Sequence, residues 1–145
     1  MTTATKQRKT RELFKEYQEE LSNPILLVFT AEKGLAVTFF DELISVTNLN
    51  KKTLADIIDA TTKTIDNRRT SRVPLGRTKS EQLLQILALY RKGIEIFGAT
   101  DSFNEWLKQP AAGLGGRIPF EFMYTSGGIR LVMEELIRIE FGALA

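Results

Sequence analysis

Apolar side chains recur every three or four residues through most of this chain of 145 residues. The clearest series follows Thr78 at spacings of four, three, four and three, and consists of Leu83, Leu87, Tyr90, Ile94 and Phe97. This spacing places the side chains on one stripe of a helix, whereas a half-buried strand would alternate apolar and polar residues. No stretch shows convincing alternation of that kind. The sequence therefore predicts an all-α fold.

Caps and breaks divide the chain into a predicted series of helices. Ser22 with Pro24 is typical of a helix start, and Gly34 of a helix end. Capping boxes are predicted at Thr78 with Glu81 and at Ser102 with Glu105, while Thr125 is expected to cap the last helix. The predicted helices cover about 7–21, 24–32, 36–47, 51–58, 62–69, 78–97, a short one ending near 108, 119–124 and one from 125 to Gly142.

These boundaries suggest three parts. Residues 1–33 would form a helical arm whose first few residues are disordered, 34–77 a first lobe and 78–145 a second lobe. The linker 70–77 contains Pro74 and Gly76, which favour a break between helices.

Composition excludes several kinds of protein. The chain has no Cys and no His, which removes disulfides, thiolate metal sites and the commonest general base. We expect no catalytic residues, no metal site and no cofactor. The longest apolar run, residues 25–29, is far too short to span a membrane, and no signal peptide is recognisable. A cytoplasmic protein without membrane contact is the simplest interpretation.

Charge is distributed unevenly along the chain. Residues 51–79 hold eight cations and three anions, a net +5, whereas residues 99–145 hold four cations and six anions, a net −2. A basic middle segment suggests phosphate as a partner, and the acidic C-terminal part does not. We infer from this asymmetry that the protein has two surfaces, which bind two different partners.

Residues 54–67, LADIIDATTKTIDN, resemble a helix-turn-helix motif. Ala55 is small where the second helix must cross closely, Thr61 is placed to cap that helix, and Asp59 stands where the motif usually has glycine. Bases would be contacted from Thr62, Lys63, Asp66 and Asn67. Phosphates would be contacted from Lys51, Lys52, Arg68, Arg69 and Arg72. The alternative is a pair of ordinary helices with a solvated basic face, or a lobe used mainly for dimerisation.

Residues 79–142 carry the most specific pattern, with 106–142 as its most informative stretch. The spaced features are Phe97-Gly98, Trp106-Leu107, Pro110, Leu114-Gly115-Gly116, Pro119, Thr125, Gly128, Val132, Leu136, Ile139 and Gly142. Together they resemble the C-terminal toxin-binding domain of Xre/MbcA/ParS-like antitoxins. Ala111 and Tyr124 depart from the Asn and Asp that this family often has there, which affects polar contacts and not the fold.

The resemblance implies a non-enzymatic antitoxin that occludes the active site of a partner toxin. Such toxins resemble RES-domain, NAD-consuming enzymes or related ADP-ribosyl-transferring enzymes. Trp106 is expected to be a core anchor. The expected toxin contacts lie in the turn, the last helix and the 141–145 tail, and comprise Arg117, Arg130, Glu134, Arg138, Phe141 and Gly142. For each arginine the alternative is a solvated helix face.

Other interpretations stay open at this point. The chain could be a stand-alone transcriptional regulator whose C-terminal lobe serves dimerisation or sensing. An enzyme is disfavoured, because Glu134, Glu135 and Glu140 look like a helix surface and not like paired catalytic carboxylates. Homodimerisation is expected, since helix-turn-helix proteins usually contact two half-sites. The interface could be the 83–97 stripe or the 7–21 helix, and the sequence does not choose between them.

Overall fold

The computed structural model describes residues 2–142 and is helical throughout. The α-helices in this range are α1 (Thr3–Glu16), α2 (Gln18–Ser22), α3 (Pro24–Lys33), α4 (Val37–Thr47), α5 (Lys51–Ile57), α6 (Thr62–Ser71), α7 (Arg77–Phe97), α8 (Thr100–Leu107) and α9 (Ser126–Glu140). Two short 3-10 helices, Ala112–Leu114 and Pro119–Phe122, lie between α8 and α9. Residues 2–142 form no strand beyond one isolated bridge between Ala111 and Arg117. The predicted all-α fold is confirmed.

The long helix α7 forms the centre of the molecule. Helices α2, α3, α4, α8 and α9 all pack against it. Leu83, Leu87 and Tyr90 are completely buried, because neighbouring helices cover α7 on several sides. The 83–97 stripe is therefore mostly core of the protomer, which leaves only its half-buried end at Ile94 and Phe97 for the homodimer interface that the sequence offered as one possibility.

The N-terminal arm is ordered helix from Thr3 onward. The Thr2 side chain accepts a hydrogen bond from the Thr5 backbone N–H, so the predicted disorder of the first residues is not seen from residue 2. Leu13 is buried, and Phe14, Tyr17 and Leu21 pack partly buried against the core. Most of the apolar face of the predicted 7–21 helix is thus used within the protomer.

Two predicted helix starts are wrong, because tertiary contacts fix where α7 and α8 begin. Helix α7 begins at Arg77 after Gly76 without a side-chain cap, where the Leu75 N–H donates to the Leu35 carbonyl at 2.8 Å. Helix α8 begins at Thr100, whose hydroxyl donates to the Val46 carbonyl. The capping boxes at 78–81 and 102–105 therefore do not form. Helix α3 begins at Pro24 as predicted, with Asn23 and not Ser22 as its cap.

Candidate functional site

Helices α5 and α6 form the predicted helix-turn-helix. Ala55 is fully buried where the helices approach. Asp59 adopts the left-handed conformation that the turn requires, with φ of 56°, a conformation that Asp tolerates better than most residues. The Thr61 hydroxyl accepts a hydrogen bond from the Thr64 N–H at 3.0 Å. Local geometry of the motif is as the sequence predicted.

Helix α6 presents a polar outer face. Lys63 and Asn67 are exposed and Thr62 is half-buried, while Ile65 holds the helix on the core. Lys52 at the start of α5 and Arg72 at the end of α6 are exposed as well. All five can be reached by a partner, although Lys52 also pairs with the Asp56 carboxylate at 3.0 Å.

The remaining predicted contact residues are largely engaged within the protein. Asp66 accepts hydrogen bonds from Lys51 Nζ at 2.5 Å and from Arg69 Nη1 at 2.5 Å. The Nη2 atom of Arg69 donates to the Asp41 carboxylate of α4 at 2.6 Å. The hydrogen bonds from Lys51 and Arg69 lower the pKa of the Asp66 carboxyl, and those to Asp41 and Asp66 raise the pKa of Arg69.

This network links α4, α5 and α6 at the surface. Sequence analysis missed Asp41, because nothing local relates it to a residue 28 positions later. Arg68 is also occupied, since it donates to the Pro74 carbonyl at 2.6 Å. Two of the five predicted phosphate-binding cations thus hold the carboxylate of Asp66, which was itself assigned to base contact.

The second candidate surface begins at the turn between α8 and α9. Gly115 and Gly116 have φ values of 68° and 76°, which glycine adopts without steric cost. The Ala111 N–H donates to the Arg117 carbonyl at 3.0 Å and closes the turn. The chain reversal that the glycine pair predicted is confirmed.

Glu135 fastens this turn to α9. Its side chain is only 2% exposed, accepts the Gly113 N–H at 2.7 Å and accepts Nε of Arg138 at 3.0 Å. Arg138 also donates to the Gly113 carbonyl at 3.3 Å. Glu135 is therefore a structural residue, and the sequence-based interpretation of it as helix surface is wrong. The only signal was its place beside Leu136 at the edge of the buried stripe.

Trp106 is half-buried at the edge of the core and packs on aromatic rings. Its ring stacks on Phe97 and Phe103 with centroid distances of 5.6 and 6.0 Å. Phe103 in turn approaches the backbone of α7 at Gly93. This is the packing expected of a core anchor.

The outer face of α9 combines charged and apolar side chains. Arg130 and Glu134 are exposed, as are the apolar residues Leu131, Ile137 and Phe141. Gly142 follows with a φ of 73°, and positions 143–145 of the predicted contact tail lie outside the described residues. Helix α9 thus brings Arg130, Glu134 and Phe141 to one exposed face.

The two other predicted contact arginines lie beside that face. Arg117 is exposed in the turn, pairs with Glu121 at 3.4 Å and lies 6.0 Å from the Phe122 ring centroid. Arg138 is half-exposed while it holds Glu135. Arg117 in the turn and Arg138 on α9 thus both present exposed cationic groups.

No group of three or more acidic side chains in residues 2–142 is placed to hold a metal ion. Within the same range, no helix combines the length and apolar character needed to cross a bilayer.

Comparison with known proteins relates this chain to antitoxins. Residues 92–142 match the family described as antitoxin Xre/MbcA/ParS C-terminal toxin-binding domain. A "Prs ADP-ribosylating antitoxin" of Sphingobium sp. (strain YBL2) is 27% identical over 133 residues, covering 86% of this chain and 84% of the relative.

Two further relatives are named "Antitoxin Xre". That of Yersinia enterocolitica is 26% identical over 141 residues, covering 94% of this chain and 93% of the relative. That of Photorhabdus laumondii is 24% identical over 114 residues, covering 78% and 77%. The matched family segment contains the turn, Glu135 and the exposed face of α9.

Proposed function

We propose that this chain is an Xre/MbcA/ParS-like antitoxin of a toxin–antitoxin system and that it covers the active site of its toxin with the C-terminal surface. The observation that carries the proposal is the exposed face of α9, which lies inside the segment that matches a toxin-binding domain. The same chain would bind operator DNA through α5 and α6 and so repress its own operon. It would act as a homodimer in the cytoplasm, without catalysis of its own.

The α9 face has the composition of a protein-binding surface. Leu131, Ile137 and Phe141 are 46%, 40% and 80% exposed, and charged residues flank them. Interfaces favour a desolvated apolar or aromatic centre inside a polar rim. Phe141 is suited to the role of central anchor, because a ring left so exposed gains most when a partner covers it.

The class of toxin is proposed from the resemblance. Xre/MbcA/ParS-like antitoxins pair with RES-type, NAD-consuming toxins or related ADP-ribosyl-transferring enzymes. The Sphingobium relative is named "Prs ADP-ribosylating antitoxin". This name supports a target with ADP-ribosylating chemistry.

The helix-turn-helix geometry supports the DNA-binding part of the proposal. Lys52, Lys63 and Arg72 remain exposed on α5 and α6 and can contact phosphates, while Asn67 can contact a base edge. Binding should weaken steeply as salt rises, because each phosphate contact releases a counterion.

Co-expression with the protein encoded by the adjacent reading frame tests the antitoxin function. That protein should arrest growth alone, and this chain should restore growth and co-purify with it. The double variant Ile137→Glu, Phe141→Glu should lose both effects, whereas Val73→Glu, an exposed apolar position on the other lobe, should keep them. A harmless neighbour that does not co-purify would contradict the proposal.

A stand-alone regulator is the second candidate, and the intact helix-turn-helix geometry is the observation in its favour. Gel-shift titration with the DNA upstream of the gene, with and without the neighbouring protein, separates the two. DNA binding without any protein partner would favour the regulator.

A further inference from the structure

Large apolar side chains are exposed in two places besides Val73. Within residues 2–142, the C-terminal segment exposes Tyr124, Leu131, Ile137 and Phe141. Helix α3 exposes Ile25, Val28 and Phe29, which we name the α3 patch. The three share one side of α3, while Leu27 and Ala31 on its other side are buried. The α3 patch belongs to the N-terminal arm and has no role in the function proposed above.

A groove connects the α3 patch with α9. Helices α3 and α9 both pack on α7, and the groove between them encloses about 270 Å³. Val28 of the patch lines it together with Arg130 and Met133 of α9, and the remaining lining comes from α2, α3, α7 and α9. We name this feature the α3–α9 groove. One of its walls is inside the toxin-binding segment and the other is outside it.

Interface size favours a surface larger than α9. Stable complexes bury about 800 Å² on each partner through about twenty to thirty residues. Between residues 126 and 141 the chain exposes Gly127, Arg130, Leu131, Glu134, Ile137, Arg138, Glu140 and Phe141. These eight residues are too few by themselves, and the α3–α9 groove adjoins them directly.

The lining of the groove also contains polar and charged side chains, which determine the kind of partner that it suits. Glu20 and Glu81 contribute carboxylates to its lining. The Gln85 Nε2 donates to the Ser126 hydroxyl at 2.7 Å, while its buried Oε1 has no hydrogen-bond partner in the part of the chain that the structure describes. A partner segment with apolar side chains and a cation for the carboxylates matches this lining.

We propose that the toxin-docking surface extends from α9 across the α3–α9 groove onto the α3 patch, so that the N-terminal arm takes part in holding the toxin. This inference rests on the proposed antitoxin function. The toxin is the occupant that the geometry favours over a second copy of this chain. A second copy seated on the groove would cover Arg130 and Met133 and would compete with the toxin for α9.

Substitutions in the α3 patch test the extension. The double variant Ile25→Glu, Phe29→Glu changes exposed side chains only, at 68% and 55% exposure, so its helix content and melting should match the wild type. Its affinity for the purified neighbouring toxin, measured by titration calorimetry, should fall at least about tenfold. Val73→Glu is the matched control, because Val73 is similarly exposed at 44% but lies between α6 and α7, and its affinity should be unchanged.

The outcomes separate this inference from the proposed function. If Ile137→Glu weakens toxin binding while the α3 double variant does not, the extension is wrong and the antitoxin function stands. If the wild-type chain binds no toxin, the function itself fails. If the double variant converts a dimer into a monomer in light scattering and leaves toxin affinity unchanged, the α3 patch binds a second copy and the proposal is overturned.

Discussion

At the scale of single residues, the partners of a charged side chain decide what it does. Asp66 and Glu135 both carry a carboxylate on a helix of a candidate surface. Asp66 is exposed and pairs with Lys51 and Arg69, whereas Glu135 is buried and bonded to the backbone of Gly113. Asp66 therefore reduces the positive charge of a surface, whereas Glu135 holds a turn in place.

Asp66→Asn should strengthen DNA binding. The substitution removes from α6 a negative charge that lies against two cations, and it frees Lys51 for phosphates while Arg69 keeps its bond to Asp41, so affinity should rise for all duplex sequences. The slope of log affinity against log salt should steepen by about 0.9 per freed cation. Gel-shift titrations at several salt concentrations measure both quantities.

Asp56→Asn is the control for that experiment. It removes one carboxylate that pairs with Lys52 alone at 3.0 Å, so its effect should be smaller. If Asp66→Asn instead weakens binding to the upstream DNA and to no other sequence, Asp66 contacts a base and the electrostatic interpretation is wrong.

Glu135→Ala should destabilise the C-terminal segment. The variant removes the hydrogen bond from the Gly113 N–H to a carboxylate, and such a bond to a charged group contributes about 1.5–3 kcal/mol. The free energy of unfolding from urea denaturation measures the loss. Glu134→Ala is the matched control, because Glu134 is exposed, and equal losses in the two variants would contradict the role of Glu135.

At the scale of helices, close contacts between neighbouring elements require a residue without a side chain at certain positions. A Cβ at Gly128 would collide with the Phe122 carbonyl oxygen of the preceding 3-10 helix, and one at Gly93 would collide with the Phe103 ring. These glycines let α9 begin against the 119–122 turn and let α8 pack closely on α7. Neither has a positive φ, so the requirement is space and not backbone freedom.

Two neighbouring glycines lie in the first turn of α9, and replacing each by alanine should change the free energy of unfolding differently. Gly128→Ala should lower the free energy of unfolding by about 1–3 kcal/mol, because the colliding atom is backbone and cannot rotate away. Gly127→Ala, where a Cβ meets nothing within 4 Å, should be neutral or stabilising by up to about 1 kcal/mol. Urea denaturation of both variants measures the difference, and equal effects would show that the close contact is unimportant.

At the scale of the whole molecule, one core connects all parts of the described chain. A single cluster of buried residues includes Leu13 of α1, Leu54 of α5, Leu87 of α7 and Leu136 of α9. The arm, the helix-turn-helix and the C-terminal segment therefore support one another. Their division into functional parts remains a prediction from the sequence.

Alkaline pH should destabilise this shared core. Burial, with Glu16, Glu42 and Glu20 nearby, raises the pKa of Tyr17 from 10.0 to about 12, and burial raises the pKa of Tyr90 too. The folded state favours the neutral phenols, so this stabilisation is complete below pH 10 and is lost as pH rises through 12. Denaturation midpoints measured across this range should fall, and Tyr17→Phe should reduce the fall. An unchanged pH dependence in Tyr17→Phe would contradict the assignment.

The sequence by itself determined the helical class, the helix-turn-helix geometry, the glycine reversal and the antitoxin resemblance. Each of these depends on local spacing or on a short motif. The caps at Thr61 and Thr125 were found, because a cap involves residues only three apart. Those at Thr78 and Ser102 were not borne out, because contacts from residues 35 and 46 set where α7 and α8 begin.

Only the tertiary structure decided which side chains are free to meet a partner. It buried Glu135, paired Asp66 with two cations and placed the 83–97 stripe in the core, and it left the α3 patch exposed beside α9. Periodicity shows that a helix has an apolar face but not which neighbour covers it. Burial and ion pairing depend on residues distant in the chain, and their positions are fixed only when the helices pack.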